Sequence, residues 1–203
     1  MKKILCLILT ALLLVCMCGC SVPDEENILG TWQGTMNYAS YFNSSLLESH
    51  PEMADYWHIE KFDLVMNFTF REDGTFKVEA DRDKLSAAMD QLRIDMGVGY
   101  LRYMTETGQM AGKYFDDTAL TAIMEQIIGD DYYYALLIET EIRGNYKVED
   151  GKLFASADLS QEAPTDSYEV IQFKNGKLIL KEFVGAEDGG IAYGFHPLTL
   201  KRK

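Results

Sequence analysis

Beyond position 20 the chain contains no cysteine. Its four cysteines, Cys6, Cys16, Cys18 and Cys20, all lie in the first 20 of 203 residues. The rest of the chain can therefore form neither a disulfide nor a thiolate metal site, and burial of apolar side chains has to stabilise its fold. About 180 residues are enough for one hydrophobic core, so a single domain is expected over residues 29–203.

Positive charge is also scarce. Nineteen lysines and arginines stand against 32 aspartates and glutamates, and two of the nineteen, Lys2 and Lys3, belong to the N-terminal segment. The other 17 leave a formal charge of −15 on the remaining chain. Because such an excess of carboxylates repels phosphate backbones and anionic lipid headgroups, nucleic acid is not an expected partner.

The sequence holds no recognisable catalytic constellation, since no serine or cysteine nucleophile motif accompanies a histidine. His50 and His58 are eight residues apart, whereas two ligands on one helical face are four apart. Three acidic pairs lack the alternating spacing of a calcium loop, and a helix cap or solvated loops explain them equally well. These pairs are Asp116-Asp117, Asp130-Asp131 and Glu187-Asp188. We therefore expect a protein that is not an enzyme and holds no metal or cofactor.

A long apolar run is present only near the N-terminus. Residues 4–15 follow Lys2 and Lys3, in the layout of a secretory signal, and are too few to span a bilayer. Gly19-Cys20 resembles the cleavage site of bacterial lipoproteins, in which the cysteine becomes the lipidated N-terminus. This resemblance implies a signal peptide over 1–19 and a lipidated cysteine with a flexible tether over 20–28. The alternative is an ordinary cleaved signal that leaves a free cysteine. It also implies an extracytoplasmic protein on the outer face of the plasma membrane, or in the outer membrane of a Gram-negative cell.

Alternating apolar and polar residues predict eight short strands after Gly30. The strongest alternation covers residues 62–70. Gly34 lies on the inward face of the first strand, which is typical of a close approach between barrel strands. Tight hairpin turns are predicted at Asp73-Gly74, Asp150-Gly151 and Asn175-Gly176. Eight sequential strands of this kind favour a mainly β protein, an antiparallel up-and-down barrel that closes and hides its edges.

Two irregularities are expected along the barrel. In the segment at about 39–61 apolar and polar residues do not alternate. This segment is predicted to be a helical insertion, with a helix start at Ser49-His50-Pro51-Glu52. The last strand is predicted over 192–201, and Pro197 is expected to interrupt its pairing because proline has no N–H to donate.

A second helical insertion is predicted over about 82–137. Its first apolar stripe is expected to end near Gly97 and Gly99. Its second is expected to be capped at its start by the acceptor side chain of Asp117 and to stop at Gly129 in a left-handed conformation. The run 132–137 fits either a helix or a strand.

Connection lengths assign the two ends of the barrel. Short turns follow strands two, four and six, whereas long connections follow strands one, three, five and seven. In an up-and-down barrel these sets lie at opposite ends, so both helical insertions gather over one mouth. A tether of about eight residues reaches at most roughly 25 to 30 Å. The tight-turn end is therefore expected near the membrane and the helical mouth away from it.

Gly30-Thr31-Trp32 resembles the Gly-x-Trp motif of the lipocalin and wider calycin group. Residues 70–76 are similar to the second hairpin of bacterial lipocalin-like lipoproteins. This resemblance implies an eight-stranded lipocalin-like barrel in which Trp32 plugs the closed end and a basic residue of the last strand, here Arg202, packs over it. The insertion over 82–137 departs from the family pattern.

Two functions are consistent with this reading. The first is binding of a small apolar or amphipathic ligand in the barrel or under the helical lid, within a cavity of a few hundred Å³. The second is a protein–protein interaction module of the cell envelope with a filled, non-binding barrel. Ordinary core packing, or a hydrogen-bonded buried histidine, is the alternative for each candidate lining residue. The candidates are Met53, Trp57, Met66, Phe68, Met89, Met96, Tyr146 and His196.

Overall fold

The computed structural model describes residues 25–110, 116–185, 190–192 and 194–203. Within them, eight strands form one closed antiparallel barrel in the order in which they occur along the chain. Each strand pairs with the next, and β8 pairs with β1. The prediction of a mainly β, closed, eight-stranded antiparallel barrel is therefore confirmed. The strands are β1 (Gly30–Asn37), β2 (Asp63–Phe70), β3 (Thr75–Ala80), β4 (Ile142–Glu149), β5 (Lys152–Ser156), β6 (Tyr168–Lys174), β7 (Lys177–Val184) and β8 (Leu198–Arg202).

Helices precede the barrel and occupy two of its connections. In the described ranges they are α1 (Glu25–Ile28), α2 (Ala39–Ser49), α3 (Arg82–Glu106), α4 (Asp117–Ile127) and α5 (Asp130–Glu139), with a 3-10 helix at Pro51–Met53. Residues 25–28, expected to belong to the tether, form α1, and Ile28 is fully buried. Among the residues that the structure describes, no helix is both long and apolar enough to cross a membrane.

The three predicted tight turns are present. Asp150 and Gly151 have φ angles of 51° and 73°, and Asn175 and Gly176 have φ angles of 53° and 70°. Two successive positive φ angles twist a two-residue turn in the sense that neighbouring strands require. The asparagine or aspartate followed by glycine therefore sets the register of these hairpins.

The close approach predicted at Gly34 is also found. A Cβ atom at this position would overlap Cδ2 of Leu200 on β8. The missing side chain leaves room for Leu200 where β1 and β8 meet and close the barrel.

The predicted helix start at Ser49 is wrong, because Ser49 is the last residue of α2. His50 has φ −136° and ψ 64°, away from helical values, as expected for a residue that precedes proline. Pro51 begins only the short 3-10 helix.

The predicted break at Gly97 and Gly99 is also wrong, since α3 continues through both glycines to Glu106. A Cβ atom at Gly97 would lie 3.2 Å from Cδ2 of Leu120, and one at Gly99 would overlap the carbonyl oxygen of Tyr56. The two glycines allow neighbouring elements to pack closely against α3, and they do not end the helix.

The prediction for the two ends of α4 is wrong in two respects. The capping residue lies one position earlier than predicted, and the glycine after the helix is not left-handed. Asp116, not Asp117, is the capping residue, and its Oδ1 accepts a hydrogen bond of 2.8 Å from the amide of Ala119. Gly129 has φ −82°, which is not left-handed, and it is the N-terminal capping residue of α5. The ambiguous run 132–137 is helical, inside α5.

The last strand is shorter than predicted. It begins at Leu198, directly after Pro197, and not at position 192. Because Pro197 has no N–H, regular pairing with a neighbouring strand starts only beyond it.

Candidate functional site

Large apolar side chains fill the barrel interior. They alternate along the strands with outward residues, and together with the helices they form one buried cluster. An eight-stranded barrel is small enough for side chains alone to occupy its interior. The buried strand residues include Trp32, Met36, Leu64, Met66, Phe68, Phe70, Phe76, Val78, Leu153, Ile171, Leu178, Leu180, Leu198 and Leu200.

Met66 and Phe68 are part of this filling. Both are fully buried on β2. Met66 lies opposite Gly34 of β1, and Phe68 lies opposite Trp32. They support the neighbouring strands and do not border an open space among the described residues.

Four further candidates, Met53, Trp57, Met89 and Met96, lie in the two helical insertions, and all are buried. The Nε1 atom of Trp57 donates a hydrogen bond of 3.0 Å to the carbonyl oxygen of Met96. This bond ties the segment before β2 to α3. The methionines and the tryptophan thus form the core of a helical cap.

Tyr146 lies at the tight-turn end of the barrel, away from the helical insertions. Its hydroxyl donates a hydrogen bond of 2.9 Å to the carbonyl oxygen of Arg71, in the turn between β2 and β3. Its ring packs 5.1 Å from that of Phe70, at 71°. This arrangement holds a hairpin in place.

His196, the last candidate, is hydrogen-bonded to a buried carboxylate that the sequence reasoning missed. Its Nε2 atom contacts Oε2 of Glu169, and the two side chains are 12% and 1% exposed. Oε1 of Glu169 accepts a hydrogen bond of 3.3 Å from the amide of Ala192. Burial raises the pKa of the Glu169 carboxyl, and the nearby His196 opposes that rise. Glu169 lies two positions before Ile171 on β6 and therefore points to the same, inward face. This alternation was the signal that could have identified Glu169 as a buried residue.

At the tight-turn end, Arg202 lies over Trp32. The guanidinium carbon is 4.7 Å from the indole ring centre, and the guanidinium donates a hydrogen bond of 3.1 Å to the carbonyl oxygen of Asn27. Trp32 Nε1 donates a hydrogen bond of 2.7 Å to the carbonyl oxygen of Ile28. The structure thus brings together the two residues that the resemblance pairs, and α1 lies beside them.

Three connections meet in a groove at the other end, which we call the mouth groove. Its volume is about 340 Å³. Residues before and within α2, at the end of α5 and in the connection between β7 and β8 contribute to it. The lining residues are Tyr38, Tyr41, Leu136, Glu139, Thr140 and Phe195.

The outer side of α5 carries a second feature, which we call the α5 face. Tyr134 and Ile138 are 59% and 76% exposed, one helical turn apart. Beside them runs a groove of about 430 Å³ whose lining includes Glu79, Arg82 and Glu141. An apolar stripe with charges of both signs at its edge is therefore open to solvent.

None of the eight candidate lining residues borders the mouth groove, the groove beside α5 or three further grooves that the described residues form. Within the described ranges, no three histidine, cysteine, aspartate or glutamate side chains are grouped so that they could hold a metal ion. Cys20, the predicted signal peptide and the pair Glu187-Asp188 lie outside the described residues.

Comparison with known proteins adds no family. No family model, curated protein or solved structure matches the chain. The geometry of the molecule itself therefore has to carry the functional inference.

Proposed function

We propose that this chain is a lipid-anchored extracytoplasmic lipoprotein with a lipocalin-like, up-and-down barrel, and that it acts as a protein–protein interaction module of the cell envelope. In this proposal the filled barrel is a scaffold, the insertions at 39–61 and 82–137 cap its mouth, and the α5 face meets a partner protein. Gly19-Cys20 supports the anchor, and Gly30-Thr31-Trp32 supports the lipocalin-like assignment.

The α5 face is the observation that favours an interaction module. A helix with apolar residues all round is normally buried. In α5, Leu136 is buried on the inner side while Tyr134 and Ile138 remain exposed on the outer side. An exposed apolar patch with a polar rim is typical of a surface that binds another protein.

The surroundings of this face favour a protein over a membrane surface. Glu141 lies 3.7 Å from Lys77 and 2.6 Å from Arg143, so the rim carries paired charges of both signs. Anionic lipid headgroups are repelled by the net negative charge of the chain. In this proposal α5 also lies at the end of the barrel away from the anchor.

Site-specific photo-crosslinking tests the interaction in cells that produce the full-length chain. A photoreactive residue at position 138 is expected to give one discrete protein adduct, and Tyr134→Lys in the same chain is expected to abolish it. The adduct should form again from the purified chain and the purified partner. Position 159 is the matched control, because Leu159 is also an exposed apolar residue, 56% accessible, but lies outside α5. Equal adducts from both positions, or none from position 138, would overturn the proposed interface.

Lipidation is tested separately with two cysteine variants. Cys20→Ala is expected to abolish incorporation of a labelled fatty acid and to release the chain from the membrane fraction. Cys18→Ala should leave both unchanged. Loss of label in Cys18→Ala, or in neither variant, would contradict an anchor at Cys20.

The mouth groove favours a second candidate function, binding of a small amphipathic ligand. None of the eight candidate lining residues named from the sequence borders this groove, which other side chains form at the mouth of the barrel. Native mass spectrometry of the detergent-solubilised chain, before and after organic extraction, tests this candidate. A retained mass beyond that of the lipidated protein supports it, and the same bare mass under both conditions counts against it.

A further inference from the structure

We propose that the mouth groove binds an organic cation, an amine or quaternary ammonium group attached to a short polar or apolar chain. The proposal rests on the second candidate function, small-ligand binding, and adds the chemical class of the ligand. It does not depend on the α5 face or on the protein partner.

Aromatic rings supply the walls of the groove. The rings of Tyr38 and Tyr41 are 6.4 Å apart and stand at 89° to each other. The ring of Phe195 packs against Tyr38, with the ring centres 4.6 Å apart and the planes tilted by 41°. A cation within about 6 Å of an aromatic ring face is attracted by the negative potential of that face. Rings set at right angles can contact one rounded ammonium group from two directions.

The floor of the groove is apolar and internally satisfied. Leu136 and Thr140 are both buried there. The hydroxyl of Thr140 donates a hydrogen bond of 2.6 Å to the carbonyl oxygen of Leu136. Because this hydroxyl is turned back onto its own helix, the floor suits methyl or methylene groups rather than a strongly hydrated ion.

The charge of the groove complements a cation. Glu139 contributes a carboxylate, and no lysine or arginine is among the described lining residues. Close by, burial raises the pKa of Tyr132 to about 12, and the negative charge of Glu139 adds to the rise. The carboxylate and the ring faces would therefore repel an anionic ligand, whereas both attract a cation.

The size of the groove fits this ligand class. A volume of about 340 Å³ is at the lower end of small-molecule sites, which begin at roughly 300 Å³. It suits a trimethylammonium group with a short chain better than a long lipid tail.

A pair of isosteric probes tests the proposal. Choline and its neutral carbon isostere, 3,3-dimethylbutan-1-ol, have nearly the same shape and differ in charge. Binding of each is measured by calorimetric titration and by ligand-observed NMR, with the full-length chain in a maltoside detergent that carries no ammonium group. Choline is expected to bind roughly two- to fivefold more tightly than the isostere, the size of an exposed cation–π contribution.

Variants of the lining residues separate charge from shape. Glu139→Gln and Tyr41→Ala are each expected to weaken choline binding roughly two- to fivefold. Tyr41→Phe keeps the ring and should bind like the parent chain. Glu48→Gln removes another exposed carboxylate, on α2 but outside the groove, and should have no effect. Since the exchanged side chains are exposed, an unchanged denaturation midpoint in each variant shows that the fold is intact.

The outcomes distinguish this proposal from the function on which it rests. Equal affinity for choline and the neutral isostere, with both sensitive to Tyr41→Ala, would overturn the preference for a cation and leave the ligand site standing. Absence of binding by both probes, or binding that no groove variant changes, would overturn the cation site, whereas native mass spectrometry decides the ligand-binding function on which it rests.

Discussion

The guanidinium of Arg202 covers the indole ring of Trp32 at a distance of 4.7 Å, at the tight-turn end of the barrel. Trp32 is buried on β1, and Arg202 lies opposite it on β8. The same two side chains hydrogen-bond to the carbonyl oxygens of Ile28 and Asn27, respectively. The pair therefore joins the first strand, the last strand and α1.

Removal of this cover is expected to destabilise the fold. Arg202→Ala should lower the free energy of unfolding by about 1 to 2 kcal/mol, because it removes a cation–π contact and a hydrogen bond from a charged donor. Urea denaturation followed by tryptophan fluorescence measures the change. Lys201→Ala, at the neighbouring exposed position, is the control and should shift the free energy by less than about 0.5 kcal/mol. Equal effects of the two variants would show that Arg202 has no special role at this end.

The two glycines inside α3 are expected to respond in opposite ways to alanine. Gly97→Ala should be neutral or should stabilise by up to about 1 kcal/mol, because alanine favours the helix and the Leu120 side chain can move aside. Gly99→Ala should destabilise by about 1 to 3 kcal/mol, because its Cβ meets the backbone carbonyl of Tyr56, which cannot move without the chain. Thermal and urea unfolding compare the two variants directly. Similar effects at both positions would contradict the close packing at Gly99.

Stability is expected to depend on pH through Glu169. Burial raises the folded-state pKa of this carboxyl above its unfolded value, so the folded chain holds the proton more tightly. The corresponding stability is fully present below the unfolded pKa, about 4.3, and is lost as pH rises through the higher folded pKa. The parent chain should therefore lose stability relative to Glu169→Gln as pH increases above about 4.3. Urea unfolding of both chains at a series of pH values measures the difference, and a difference that stays constant with pH would refute this role.

Tyr132 should produce a corresponding effect at alkaline pH. Its folded-state pKa of about 12 exceeds the ordinary value of 10.0 for a tyrosine, with burial as the main cause. The stability gained by keeping the phenol protonated is present below the unfolded pKa and is lost as pH rises through about 12. In the parent chain, a titration of tyrosinate absorbance should include one phenol near this value, and Tyr132→Phe should remove it. An unchanged titration curve in the variant would contradict the buried environment.

Local patterns in the sequence were sufficient to predict the hairpins and the strands, apart from the start of the last strand. Alternation has a period of two because successive strand side chains point to opposite faces, and Asn175-Gly176 adopts its turn for reasons confined to a few backbone angles. The close approach at Gly34 was predicted correctly, because this glycine lies on the inward face of an alternating strand. Likewise, the order of strands followed from short connections between neighbours.

The tertiary structure alone decided where α3 ends, what fills the barrel and which polar groups meet. Whether Gly99 stops a helix or admits a neighbour depends on Tyr56, more than forty positions away in the chain. Whether Met66 lines a cavity or fills it depends on the volumes of side chains from several strands. His196 and Glu169, separated by 27 positions, are partners only because the closed barrel brings both to its mouth. Patterns of period two or 3.6 record which way a side chain points, whereas close packing and pairing depend on what stands opposite it.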